Sequence, residues 1–221
     1  MSRWFVGCGL VALIAAIVIG YFAYSFVQRM GEFGEVQSEA RAQYREVALA
    51  HPFSLEPGAP FESARLDAYL RVRGAAAEAA RKHVSAIESS SGPGRVTAMF
   101  QGYAETARAH AEALGSEGMS LDEYRFFDQE VAVLVEEKDP AMSPLSDARA
   151  ALIRRLESLD VRNVGLLVDV PFGPLVRAGR IVVPETDRER IRARAADLAA
   201  SCEALLVDLF AELAGAGDFG G

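Results

Sequence analysis

The sequence predicts an all-α protein in which a single N-terminal transmembrane helix continues into an antiparallel bundle of about five to six helices. Three observations support this class. A long uncharged apolar run lies near the N-terminus, apolar residues recur at spacings of three and four through most of the remaining chain, and Pro- and Gly-rich sequences separate these stripes. The predicted organisation is a transmembrane anchor at 1–28, a juxtamembrane helix at 29–51 and a helical bundle domain at 52–221 that ends in a frayed tail.

The N-terminal apolar run has the length of a membrane span. Residues 4–28 lie between Arg3 and Arg29 and contain no charged side chain. As a helix, this run reaches about 37 Å, which exceeds the ~30 Å hydrocarbon layer of a bilayer. Trp4 and Tyr24 suit the two headgroup regions. We therefore predict that the protein contacts the lipid bilayer through residues 4–28 as a single-pass membrane protein.

Two alternatives compete with an uncleaved anchor. Small residues around Ala23 and Ser25 are compatible with signal cleavage, which would release a secreted helical domain, but the apolar run is longer than the ~7–15 residues of a typical signal core. Lipidation at Cys8 would require the apolar run before the cysteine, and most of it follows. Arg3 and the amino terminus favour a cytoplasmic N-terminus, which places the soluble domain outside the cytoplasm.

One face of the predicted span consists of small residues. Cys8, Ala12, Ala16 and Gly20 recur at every fourth position. Small side chains let a second helix approach closely. This face predicts packing against another membrane protein or self-association. The alternative is an alanine-rich helix that faces lipid.

The soluble part is predicted to be helical almost throughout. The apolar stripe of the juxtamembrane helix includes Tyr44 and Val47 and ends at the sequence HPF, because Pro52 disfavours helical geometry at the residue before it. Further helices are predicted from about 62 to 89, 95 to 114, 120 to the sequence KDP, 144 to 159 and 186 to 213.

Local signals mark the starts of three of these helices. Ser120 with Glu123, and Thr186 with Glu189, have the spacing of capping boxes, in which each side chain bonds the backbone N–H of the other residue. Pro144 suits the first turn of a helix because its missing N–H would have no partner there.

Residues 163–184 do not follow the helical period. They are rich in Val, Pro and Gly, which predicts an extended connection before the last helix. Phe172, Leu175, Arg177 and Arg180 are candidates for an interaction edge that another chain would contact. The alternative is a loop that covers the core of the bundle.

Charge and cysteine content exclude several function classes. The net charge of −8 argues against nucleic acid as a partner. Cys8 lies in the predicted span and Cys202 in an apolar stripe, so the two cannot pair, and a protonated, shielded thiol is expected at position 202. The arginine-rich sequence DRERIRARAAD interleaves acids with bases and predicts an exposed helical face with many salt bridges.

The sequence contains no recognisable catalytic or metal-binding pattern. The histidines are His51, His83 and His110, and none has Glu three residues before it, as a di-iron bundle would require. His83 follows Arg81 and Lys82, which predicts a solvated face, whereas His110 lies in an apolar stripe and is predicted to be a hydrogen-bonded core residue. We predict no catalytic, cofactor-binding or metal-ligating residue and no cofactor.

These observations favour a non-enzymatic, membrane-anchored helical protein that acts in assembly, scaffolding or protein–protein interaction. The alternative is a sensory or small-molecule-binding bundle with a cavity near Tyr103, His110 and Tyr124. The third hypothesis is the secreted helical domain that cleavage near Ser25 would release.

Overall fold

The computed structural model describes residues 38–39, 42–54, 60–91, 93–158 and 183–204. The chain divides into two units, residues 1–39 and 40–221, and nearly all of the described residues belong to the second. Within the described residues every regular element is helical and there is no strand. The predicted all-α helical bundle is thereby confirmed for this part of the chain.

Seven α-helices and two short 3-10 helices make up the described part. The α-helices are α1 (42–50), α2 (Ser63–Ser89), α3 (Pro93–Glu117), α4 (Leu121–Glu136), α5 (Ser143–Glu157), α6 (Glu185–Arg192) and α7 (Ala195–Ala200). The 3-10 helices are Pro140–Met142, directly before α5, and Cys202–Ala204, after α7.

The core is built from the apolar stripes of these helices. Apolar side chains from α1 to α7 form one cluster, with α2 and α3 packed along each other. Its fully buried large members are Tyr69, Leu114, Met119, Tyr124, Phe127, Leu134, Met142, Leu145, Ile191 and Leu198. Tyr44 and Val47, the described members of the juxtamembrane stripe, also pack on this cluster.

The predicted start of α4 is confirmed, but only half of its capping box forms. The Ser120 side chain accepts a hydrogen bond from the Glu123 N–H at 3.1 Å. The Glu123 carboxylate does not reach back to Ser120. It accepts from the Arg65 guanidinium instead, with 2.6 Å between Arg65 Nε and Glu123 Oε1, because a cation on α2 competes successfully for it. α5 begins at Ser143 with Pro144 in its first turn, as predicted.

The predicted continuous last helix is wrong. The structure contains α6, a turn at residues 193–194, α7 and then a 3-10 helix. The Arg194 N–H bonds the Ile191 carbonyl at 2.9 Å, three residues back, which tightens the chain at the turn. The Arg194 side chain is held there by Asp67 and Asp197. A tertiary contact thus stabilises an interruption that the apolar pattern does not indicate.

The second predicted capping box is also wrong. Pro184 is the N-cap of α6 and no side chain caps the helix, so Thr186 lies inside its first turn. The Pro184 carbonyl accepts from the N–H groups of Asp187 and Arg188 at 3.0 and 3.2 Å. The helix therefore begins at Glu185, one residue before the predicted cap at Thr186.

No helix in the described part of the chain combines the length and the apolar composition that crossing a membrane requires. The predicted span at 4–28, with the small-residue face of Cys8, Ala12, Ala16 and Gly20, lies outside the described residues. The extended connection and its edge residues Phe172, Leu175, Arg177 and Arg180 lie outside them as well, as does the tail beyond residue 204.

Candidate functional site

Six polar side chains meet in the interior of the bundle. We call them the polar cluster, and each of these residues is buried. They come from α1, α2, α3 and α4 and are Tyr44, Tyr69, Arg73, His110, Tyr124 and Asp128.

A buried ion pair forms one half of the polar cluster. Arg73 is fully buried, and its Nη1 donates to Asp128 Oδ1 at 2.7 Å. The Tyr69 hydroxyl donates to the same carboxylate oxygen and lies 3.2 Å from Arg73 Nη1. Removing two charges from water is costly, and these additional hydrogen bonds offset part of that cost. Burial raises the pKa of Asp128, while the charge of Arg73 and hydrogen bonds from Tyr69 and Tyr124 act in the opposite direction.

His110 on α3 forms the other half of the cluster. Its Nδ1 lies 3.0 Å from the Tyr44 hydroxyl oxygen, and the Tyr44 hydroxyl donates to the Ala107 carbonyl at 3.2 Å. The ring of Tyr124 meets the imidazole edge-on, with 4.5 Å between the ring centroids. Burial lowers the pKa of His110 to about 3, and the nearby charge of Arg125 adds to this effect. His110 is therefore neutral near pH 7, and the prediction of a hydrogen-bonded core histidine is confirmed.

The prediction that His83 faces solvent is wrong. His83 is buried between α2 and α3, where its ring lies against the backbone of Gly102. The absence of a side chain on Gly102 leaves the space that the imidazole fills. The neighbouring Arg81 and Lys82 are exposed, so charge at adjacent positions does not indicate which side of the helix His83 occupies.

The salt bridges predicted for the arginine-rich sequence are confirmed, and several of them join separate elements. Arg188 pairs with Glu137, and Arg192 pairs with Asp139 at 2.6 Å, so both connect α6 to the turn between α4 and the 3-10 helix that follows it. The helical face is not wholly exposed, because Asp187 is fully buried. Its carboxylate accepts from the Phe61 N–H at 2.9 Å and from Arg190 at 2.8 Å. These contacts fasten α6 to the chain that enters α2.

Neither Cys202 nor a cluster of metal-ligating side chains provides a second candidate site among the described residues. Cys202 is buried as expected, and burial raises the pKa of its thiol to about 11. Among the described residues, no group of three or more His, Cys, Asp or Glu side chains could hold a metal ion. Of the three residues suggested for a ligand cavity, His110 and Tyr124 are in contact, and the Tyr103 side chain lies outside the described part.

Sequence reasoning missed the ion pair of Arg73 and Asp128, although a signal for it exists. In the apolar stripe of α2, Arg73 fills the position between Leu70 and Ala77 at spacings of three and four. Asp128 follows Tyr124 by four residues and therefore shares its face of α4. Opposite charges in the apolar stripes of two helices indicate a buried pair, because neither charge is stable alone in a core.

No family model, no curated protein and no solved structure matches this chain.

Proposed function

We propose that this protein is a non-enzymatic, single-pass membrane protein whose helical domain binds other proteins in assembly or scaffolding. The observation that carries the proposal is the uncharged run at residues 4–28, followed closely by a folded helical bundle. Such a run is long enough to cross a bilayer as one helix. The face formed by Cys8, Ala12, Ala16 and Gly20 gives it a surface on which a second membrane helix can pack.

The ionisable groups of the polar cluster also favour a structural role for the bundle. Arg73 is held by Asp128, and His110 is neutral and contacts Tyr44 and Tyr124. A general acid or base that works near neutral pH needs a pKa close to that pH. The pKa of about 3 for His110 is far from this range. These groups are suited to fixing four helices relative to one another.

The proposal is tested by purifying the full-length protein with a C-terminal tag in mild detergent. Mass spectrometry then identifies the chains that co-purify, and alkaline extraction of membranes tests integral insertion. We expect the protein to remain in the membrane fraction with a stoichiometric partner or a second copy of itself. Replacing Ala12, Ala16 and Gly20 with Leu should abolish this association, because larger side chains prevent close helix packing.

The matched control replaces Ile14 and Val18 with Leu, which alters a different face of the predicted span and keeps it apolar. This variant should retain the partner. Recovery of the protein alone in every preparation would argue against an assembly role. Recovery of a chain that begins at Phe26 would instead support the secreted form.

The second candidate function is a small-molecule-binding bundle. One atom favours it: the buried His110 Nε2 has no hydrogen-bond partner among the described residues. A buried polar atom of this kind costs free energy unless something bonds it. Native mass spectrometry of the same preparation discriminates between the two functions. A co-purifying small molecule without a partner protein would favour the ligand-binding bundle.

A further inference from the structure

Residues 42–54, which we call the strap, lie across α3 and α4. The Tyr44 hydroxyl bonds the Ala107 carbonyl and His110 Nδ1 at the N-terminal end. Toward the C-terminal end, the rings of Phe53 and Phe126 pack with 5.6 Å between their centroids. The strap is thus held to the bundle at both of its ends.

Two glycines near the end of α3 accommodate the middle of the strap. A Cβ atom on Gly115 would lie 3.6 Å from Val47 Cγ2, so the valine rests directly on this turn of α3. The imidazole of His51 covers Gly118, which ends α3 in the left-handed conformation with φ of 56°. Glycine is suited to this position because it adopts positive φ without steric cost.

The strap packs on one side only. Most of its residues are exposed, including Leu49, which is 78% exposed. Within residues 42–54, Tyr44 is the one buried side chain, while Val47 and Phe53 are partly buried. An element with few buried contacts can open at a lower free energy than the elements of the core.

We propose that the strap docks and undocks as a unit while the rest of the bundle stays folded. The Tyr44–His110 hydrogen bond holds the strap in the docked state and is its latch. Acid favours the undocked state. This proposal goes beyond a role in protein binding, because it concerns an equilibrium within the domain itself. Undocking would free residues 42–54 from α3 and α4.

The dependence on acid follows from the groups that face His110. Tyr44 on α1 and Tyr124 on α4 contact its ring, and the charges of Arg125 on α4 and Arg73 on α2 act on it. Burial and the two arginines lower its pKa to about 3 in the docked state. Undocking removes Tyr44 from the ring and admits water, so the pKa of His110 moves toward its ordinary value of about 6.5.

The sign of the effect is set by which state binds the proton more tightly. The undocked state has the higher His110 pKa, so it takes up a proton that the docked state resists. The equilibrium therefore shifts toward undocking as the pH falls below about 6.5, by at most about tenfold per pH unit. Above that pH both states are neutral at His110 and the docking equilibrium is independent of this group.

Hydrogen exchange of the full-length protein in mild detergent tests the latch. The readout is the protection of the backbone amides of residues 46–51, with the amides of α2 and α4 as internal references. Tyr44→Phe keeps the ring and removes the hydroxyl. Losing this hydrogen bond should reduce strap protection about 3- to 30-fold, while α2 and α4 remain much better protected than the strap. Leu49→Ala is the control on the exposed side of the strap and should change neither region beyond a small local effect.

The pH dependence is tested between pH 7 and pH 5, after correction for intrinsic exchange rates. Strap protection should fall with acid in the wild type and stay level in His110→Gln, whose amide can still bond Tyr44 but does not titrate. Equal protection of strap, α2 and α4 amides in the wild type would overturn the proposal, since the strap would then open only with the whole domain. A response to acid that persists in His110→Gln would overturn the assignment of the latch.

Discussion

Gly102 on α3 faces the imidazole of His83 on α2 so closely that a Cβ atom on residue 102 would lie 1.4 Å from His83 Nδ1. Real side chains do not approach to this distance. Two long helices therefore meet at a point where one contributes a ring and the other only backbone. This contact fixes how near α2 and α3 can lie.

Gly102→Ala should destabilise the domain by about 1–3 kcal/mol, because the new methyl group overlaps a buried ring that has little room to move. Gly74→Ala is the matched control, since a Cβ there meets nothing within 4 Å. Alanine is the better helix former, so Gly74→Ala should stabilise α2 by about 0.5–1 kcal/mol. Urea unfolding of the full-length protein, followed by circular dichroism, measures both. Equal effects of the two substitutions would contradict the close contact.

Lys138 ends α4 in the left-handed conformation with φ of 56°. The hydrogen bonds of this helix end run from the Lys138 N–H to the Val135 carbonyl and from the Asp139 N–H to the Leu134 carbonyl, at 3.0 and 3.1 Å. A non-glycine residue in this conformation costs about 1 kcal/mol. Lys138→Gly should therefore stabilise the protein by roughly that amount. Lys138→Ala removes the same charge but keeps the Cβ atom, so it should give no such gain in the same unfolding assay.

The stability of the folded domain should depend on pH through His110. Its folded-state pKa of about 3 lies below the ordinary value of 6.5, so the unfolded chain binds a proton that the folded state excludes. This contribution to stability is complete above pH 6.5 and is lost as the pH falls toward 3, with a slope approaching about 1.4 kcal/mol per pH unit. Unfolding free energies of the wild type and His110→Gln, measured from pH 7 to pH 5, should diverge with this sign. Parallel curves would show that His110 is not shielded from protons in the folded state.

Arg73 is buried and Arg71 is exposed, although they lie two residues apart on α2. Replacing each in turn tests how much burial raises the cost of losing an arginine that forms a salt bridge. Arg73→Met leaves the buried Asp128 carboxylate without its cation and should cost about 3–5 kcal/mol. Arg71→Met breaks a pair with Glu117 that is largely in solvent and should have a much smaller effect.

The double substitution Arg73→Met with Asp128→Leu should recover part of the lost stability, because no charge is then left alone in the core. Unfolding free energies of the two single variants and the double variant give the coupling between the residues. Additive losses would mean that the two side chains do not form the buried pair.

The sequence by itself determined the helical class and most of the helix boundaries. Apolar spacing along α2, Ser120 before α4 and Pro144 in α5 are local signals, and a helix depends mainly on residues within one or two turns of each other. Pro52 likewise marks the end of α1, because its effect on the preceding residue is steric and local.

Only the tertiary structure decided the partners of the buried polar groups, the burial of His83 and where the last helix is interrupted. The Arg73–Asp128 pair joins residues 55 positions apart, and His83 is buried because a glycine on a neighbouring helix leaves room for it. The turn at Arg194 depends on Asp67, which is distant in sequence. Local periodicity can place a charge such as Arg73 in an apolar stripe, but it does not identify the partner, because the free energy of burying a charge or a ring depends on what the fold brings against it.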